Sequence, residues 1–460
     1  MGEFHYGIES LVLFICYLLF LLTAGLRFWH RGKTEASEYL VMGRRLTLPA
    51  FVASIVATWY GGILGVSEYS FKYGLSNWFV FGLPYYLAAF LFAILLAKKA
   101  RRSMMLTIPD QLDKTYGRGV SLIGAFFVFI TTVPAAYVLQ VGVLANTAFG
   151  IPLTIGVIGA TVFSAIYIFT GGLRGDVLTD KTQFVMMFIG FIIMFGMLVG
   201  NYGGLEFLKA NVPATHFVWH GTKPMSYIFV WYFIALATLT EPSFYQRCFA
   251  AKSEKTARNG VLIAIFFWAL FDFLTTSVGM YARAILPGLA DPIAAYPALA
   301  VKVLPRALQG VFLLSLFATV MSTVDSYTLI AGTTLGKDFI QRIKGGDITF
   351  LSRTGLVISG ALAIVIALYF KSVIEIWYVF GTLGTCAMTI PLATSFSERW
   401  KMSRKMAAIA MIASPAVASI WIVPNLFWSM DYFWGIDPIY PGLAVSTAIY
   451  AIDHWWIKRD

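Results

Sequence analysis

The sequence predicts an all-α polytopic membrane protein with about thirteen transmembrane helices. Hydrophobic residues make up 59% of the 460 and charged residues only 12%, with mean hydropathy +0.76. Apolar runs of about 20 residues, the length that crosses ~30 Å of hydrocarbon, recur from end to end. The Lys and Arg gather between alternate runs. In a soluble chain a net charge of +11 would suggest nucleic acid; this placement of the charge excludes that partner and points to a lipid bilayer.

Taken in order, the expected spans are about 8–29, 46–71, 75–97, 120–149, 151–170, 182–202, 225–246, 260–286, 309–336, 352–371, 373–396, 406–424 and 439–457. The first opens with Glu3 and Glu9 instead of a basic leader and reads as a retained anchor. Basic residues cluster at 27–45 (Arg27, Arg31, Lys33, Arg44, Arg45), 98–118 (including Lys98, Lys99, Arg101 and Arg102), 174–181 and 247–258 (Arg247, Lys252, Lys255, Arg258). They cluster again at 337–353, 399–405 and 458–459 (Lys458, Arg459). These are alternate loops, so they share one side, which the positive-inside rule makes cytoplasmic. An odd count of spans then puts the N-terminus outside and the C-terminus inside a cell membrane. Cys16, Cys248 and Cys386 lie far apart and suggest neither a disulfide framework nor a zinc site.

Two spans are interrupted. Span 46–71 carries Gly61-Gly62 and Gly65 near its middle, and span 225–246 ends in Thr240-Glu241-Pro242-Ser243, where proline removes a donor and breaks the ladder. Each opens a five-helix unit, 46–202 and 225–396, flanked by an N-terminal helix and loop (1–45), an outer loop (203–224) and two C-terminal helices (397–460). Interruptions at matching positions of two halves mark a transporter site, because unwound backbone presents carbonyls to an ion. Within span 309–336, Thr319, Ser322, Thr323 and Ser326 recur at i, i+3, i+4 and i+7, with Asp325 beside them. One face of a membrane helix is thus lined with oxygen. An ionisable group at a helix centre is unfavourable by about 2.5 to 3.5 kcal/mol on insertion scales, which favours service to an ion or polar solute over simple packing.

Six segments resemble the sodium:solute symporter family. They are Ser37-Glu38-Tyr39 through Gly43-Arg44-Arg45; Ala57-Thr58-Trp59-Tyr60-Gly61-Gly62; and Thr107-Ile108-Pro109-Asp110 with Tyr116-Gly117. Gly171-Gly172-Leu173 with Thr179-Asp180 and Gln183, Pro242 with Gln246-Arg247 and Ala250-Ala251-Lys252, and Met321 through Ser326 complete the set. They stand in family order and span roughly residues 37–339.

The resemblance implies an inverted five-plus-five helix repeat of the leucine-transporter type, working by alternating access as a sodium-coupled importer of a small organic solute such as a sugar, amino acid or vitamin. It implies one Na+ held by backbone carbonyls of Ala57, Tyr60 and Thr319 and by the hydroxyls of Ser322 and Thr323. Neutral oxygens suit a hard cation that must also leave. A second cation site would use Asp180 with Ser322 and Ser326; Asp325 stands where relatives have serine and would strengthen that site, take a proton or pair with a basic residue. Trp59, Gly61, Gly62, Phe81, Pro84, Tyr85, Trp231, Tyr232, Thr238 and Glu241 become candidate solute contacts, and one copy of the chain suffices for transport.

Glu68 and Asp272 are further acids at membrane depth, and Arg283 is the basic candidate away from the cytoplasm, which disfavours an anionic solute. His216 and His220 share i, i+4 spacing in the outer loop but lack a third ligand, so a metal site there is not expected. The competing readings are a proton-coupled transporter using Asp180 or Asp325, a sensor of the same fold, and a membrane-embedded enzyme binding Mg²⁺ through Asp176 and Asp180. The enzyme reading lacks a second acid pair and leaves the broken helices unexplained.

Overall fold

The computed structural model describes residues 6–27, 35–370 and 373–457. Glu3, Arg31, Lys33, Lys458 and Arg459, used in the charge reading, lie outside these. Among the described residues the regular secondary structure is all helical, apart from a single parallel bridge between Leu46 and Ala251.

Helix α1 (Ile8–Leu26) lies beside the core. The next span is broken: α2 (Leu48–Trp59) and α3 (Ile63–Tyr73) meet at 61° across Tyr60–Gly62. Then come α4 (Trp78–Ser103), a short α5 (Ile108–Tyr116), α6 (Arg118–Thr132) and α7 (Ala135–Phe149). Helix α8 (Leu153–Tyr202) runs for 50 residues but turns at Gly172, whose φ of 50° and ψ of −150° leave the helical region. A Cβ there would sit 2.6 Å from the Tyr39 ring and carbonyl oxygen, so the turn requires glycine.

The second interrupted span comprises α9 (Met225–Ile234), a tight turn Ala235–Thr240, extended Glu241, and α10 (Pro242–Ala250) with proline at its first position. Helices α11 (Glu254–Ile285), α12 (Arg306–Thr333, continuing to Lys344), α13 (Ile348–Phe370), α14 (Val373–Ser395), α15 (Arg404–Trp428) and α16 (Ile439–Ile452) follow.

Ten described helices are long and apolar enough to cross a membrane, or eleven when α2 and α3 count as one span. The count of thirteen differs for two reasons. Spans 151–170 and 182–202 are counted together here as α8, which turns at Gly172, and 439–457 begins with a helix of only 14 residues.

Helix α12 is the centre. Every residue from Ser315 to Thr333 is buried, so it has no lipid face, and its polar groups must find partners on all sides. It packs against both halves of α8, and also against α1, α2 and α13. At one end of the bundle the backbone of Leu46 donates to Ala250 (3.0 Å) and accepts from Lys252 (2.9 Å). This bridge ties the start of α2 to the end of α10.

Candidate ion and solute site

The break after Trp59 frees the carbonyls of the last turn of α2 from their i+4 donors. Ala57 retains only a long bond, 3.4 Å, from the Tyr60 amide. The gap is filled by α12: a Cβ on Gly61 would lie 2.2 Å from Thr323 Oγ1, so only glycine permits this approach. The Thr323 hydroxyl donates to the Thr58 carbonyl (2.6 Å) and the Ser322 hydroxyl to Asp180 Oδ1 (2.5 Å). Both protons are thereby committed, and their lone pairs are free for a cation. Thr319 bonds back to the Ser315 carbonyl at 2.7 Å. Ala57, Thr319, Ser322 and Thr323 are all essentially inaccessible, and Tyr60 is 6% exposed.

Asp180 and Ser326 meet a group placed in the cytoplasmic loop by the charge reading. Arg247 is fully buried, not loop-borne. Its Nη2 lies 2.9 Å from Asp176 Oδ2, 3.3 Å from Asp180 Oδ2, 2.6 Å from Ser326 Oγ and 3.0 Å from Thr58 Oγ1. Nε donates to Ser54 Oγ (3.1 Å) and Nη1 to Gln246 Oε1 (2.8 Å). A guanidinium tolerates this depth because two carboxylates one helical turn apart on α8 face it. Ser54 also donates to Asp180 Oδ2 at 2.5 Å, and Ser326 to Asp176 Oδ2 at 2.8 Å. The acid pair considered as a Mg²⁺ site thus faces an arginine.

Asp325 is not part of this cluster. Each helical residue advances ~100°, and Asp325 turns to the first half of α8, where Ser164 (2.6 Å) and Tyr167 donate to it. Gln183 of the same signature as Asp180 donates to Tyr17 of α1 at 2.9 Å.

Beside the helix breaks lies a cavity of about 200 Å³. Of the expected solute contacts Trp59, Gly62, Phe81, Tyr85, Trp231 and Glu241 line it, whereas Gly61, Pro84, Tyr232 and Thr238 do not. Gly61 is covered by Thr323, and the Tyr232 ring lies tilted to that of Phe229 (6.3 Å between centroids). Sequence reasoning missed Tyr60, Tyr86, Tyr137, Trp268, Tyr327 and Trp377 as lining side chains. A Cβ on Gly62 would lie 1.9 Å from the Trp377 ring, so the glycine pair seats two different partners, Thr323 and Trp377. Missed too was the placement of Asp272, which accepts from the hydroxyls of Tyr60 and Tyr86 at the cavity wall. Glu241 Oε1 accepts from Tyr327 (3.0 Å) and from the Ser243 amide (3.2 Å), capping α10.

Glu68, His216 and His220, singled out in the sequence, lie apart from this cavity. Glu68 pairs with Lys72 at 2.6 Å. His216 Nε2 lies 3.0 Å from the Phe71 carbonyl oxygen and His220 packs edge-on against Trp219. Among the described residues no three His, Cys, Asp or Glu cluster as metal ligands. At the end of the bundle marked by α5, Asp110 binds Lys337 and Arg342, each at 2.5 Å, and caps its own helix through the Thr107 amide (3.2 Å). Burial pushes the Asp110 carboxyl up, but the two cations outweigh it and hold the group below the usual carboxylate range.

A model of the sodium:solute symporter family matches residues 39–413. The chain is 25% identical to the sodium/pantothenate symporter of Escherichia coli (strain K12) over 442 residues, 91% of this chain and 90% of that one. It is 24% identical to sodium/proline symporter 2 of Staphylococcus saprophyticus over 489 residues, covering 97% and 92%. Among solved structures, a substrate-bound outward-open Na+-coupled sialic acid symporter superposes with a TM-score of 0.79 at 15% identity, covering 97% of both chains. That likeness establishes a leucine-transporter-like fold for this chain. With the family model covering most of its length, and the broken helices and oxygen-lined α12 in place, the chain belongs to the sodium:solute symporter family.

Proposed function

We propose that this chain imports a small organic solute together with sodium by alternating access, as a secondary active symporter in a cell membrane. One observation carries the reading: the Thr323 hydroxyl of α12 donates to the Thr58 carbonyl at the broken end of α2, while the adjacent Ser322 hydroxyl donates to Asp180. Sodium, bridging the carbonyls of Ala57, Tyr60 and Thr319 and these two hydroxyls, would hold α12 to α2 and stabilise the state that accepts solute from outside. The guanidinium of Arg247 beside Asp180 and Ser326 supports one sodium per solute, not two, and the turn of Asp325 toward Ser164 and Tyr167 gives that residue a packing role. One charge moved inward is worth about 2.3 kcal/mol per 100 mV, enough for roughly fifty-fold accumulation.

The reading extends to thirteen crossings, with α8 counted as two because 50 residues at ~1.5 Å each far exceed a ~30 Å hydrocarbon layer. It includes an inverted repeat of the units 46–202 and 225–396, an outer N-terminus, an inner C-terminus, and one copy of the chain as the working unit.

Ser322→Ala and Thr323→Ala each remove one oxygen from a charged ligand, a loss of about 1.5–3 kcal/mol. The half-saturating sodium concentration for uptake into proteoliposomes should rise roughly tenfold or more. Sodium dependence unchanged in both variants would end the assignment, and full uptake driven by a proton gradient without sodium would favour proton coupling.

A further inference from the structure

The cavity beside the breaks holds two acids and no base. Glu241 and Asp272 line its wall, and among the described residues no Lys, Arg or His does. Arg247, the nearest basic group on the same helix as Pro242, is committed to Asp176 and Asp180 and does not reach the lining. The two acids differ. Asp272 has one tyrosine hydroxyl on each oxygen. Glu241 spends only Oε1, on Tyr327 and the Ser243 amide.

Around these acids the wall is aromatic. Trp59 stands edge-on to Tyr85 (5.7 Å between centroids), and Tyr137 stands edge-on to Tyr327 (5.1 Å) and tilted to Trp377 (6.2 Å). The other side-chain polar groups are hydroxyls and indole nitrogens, all neutral. An anionic solute would bring like charge to Glu241, with no basic side chain among the described lining residues to pair with it. A positively charged nitrogen meets both a carboxylate and the negative faces of aromatic rings, the combination that recognises ammonium groups. The volume, about 200 Å³, falls below the ~300–1,000 Å³ of ordinary ligand sites and limits the solute to a small molecule.

From this geometry we infer that the transported solute carries a positively charged nitrogen, an ammonium or quaternary ammonium group, seated between Glu241 and the rings of Trp59, Tyr137 and Trp377. This deepens the symporter reading and rests on it. It goes beyond that reading because it excludes purely anionic solutes from the same cavity.

The test is thermal unfolding of the purified full chain in sodium or potassium chloride with three sets of compounds of similar size. Choline, glycine betaine and proline carry the charged nitrogen, lactate and pyruvate are anions, and inositol is neutral. The expected result is stabilisation by at least one member of the first set, stronger in sodium, and by neither of the others. Comparison of choline with the two zwitterions shows whether a carboxylate is also read. Glu241→Gln keeps an amide oxygen for the cap on Ser243 but removes the charge. It should weaken that binding about tenfold or more while stabilisation by sodium alone persists, which also shows that the variant folds. Stabilisation confined to the anions or inositol, no response to any nitrogen compound, or unchanged affinity in Glu241→Gln would each overturn the inference. Failure of sodium to stabilise the parent chain in any arm would instead overturn the symporter reading beneath it.

Discussion

Replacing Arg247 by methionine tests the central polar cluster most directly. Methionine approximates the volume and removes every donor. Asp176 would keep its bond from Ser326 (2.8 Å), and Asp180 its bonds from Ser54 and Ser322 (each 2.5 Å), but both would lose the positive charge that pairs with them. Removing one partner of a buried ion pair destabilises by about 3–5 kcal/mol, because the charge left behind is uncompensated. The lower end applies here, since hydroxyls still donate to both carboxylates. Denaturant titration in mixed micelles should therefore show Arg247→Met at least about 3 kcal/mol less stable than the parent. Asp176→Asn, harmful alone, should recover part of that loss when combined with Arg247→Met, as expected for residues in one network. If Arg247→Met lay within about 1 kcal/mol of the parent, or if Asp176→Asn cost the same in both backgrounds, the guanidinium would not be the counter-charge of these acids.

Two further outcomes follow from the geometry. Gly61→Ala places a Cβ 2.2 Å from Thr323 Oγ1 and should abolish stabilisation by sodium in a thermal-unfolding assay, whereas Gly159→Ala, with nothing within 4 Å, should leave it intact. Asp110→Asn should destabilise the chain at neutral pH by breaking the contacts with Lys337 and Arg342. The folded carboxyl titrates below its ordinary range, so its contribution is complete above that range and disappears as pH falls through the depressed value. The stability gap between Asp110→Asn and the parent should close on acidification below the usual carboxylate range, and a gap independent of pH would remove the ionic explanation.

The hydroxyl face of α12, the break at Gly61-Gly62 and the break before Pro242 were all legible in the sequence, because helical spacing, glycine pairs and proline are local signals. Arg247 was not. Near the end of an apolar run a positive charge reads as a loop residue, and only the fold reveals that Asp176 and Asp180, some seventy residues earlier, lie against it. The available clue was that Asp176 and Asp180, at i, i+4, share one helix face and repel each other without a counter-charge. That Asp325 is held by Ser164 and Tyr167 was not legible either, for a geometric reason: neighbours on a buried helix diverge by ~100°, and with no lipid face any direction can hold a polar partner. Trp377 and Tyr137 escaped because aromatic residues on α14 and α7 carry no mark in the sequence that separates cavity wall from ordinary packing.

The backbone bridge at Leu46 joins the two interrupted segments without any side chain. Its two hydrogen bonds survive any substitution other than proline at the donors, so selection on residue identity cannot easily loosen it. The tie between the two interrupted segments is therefore written into the main chain and not into any side chain.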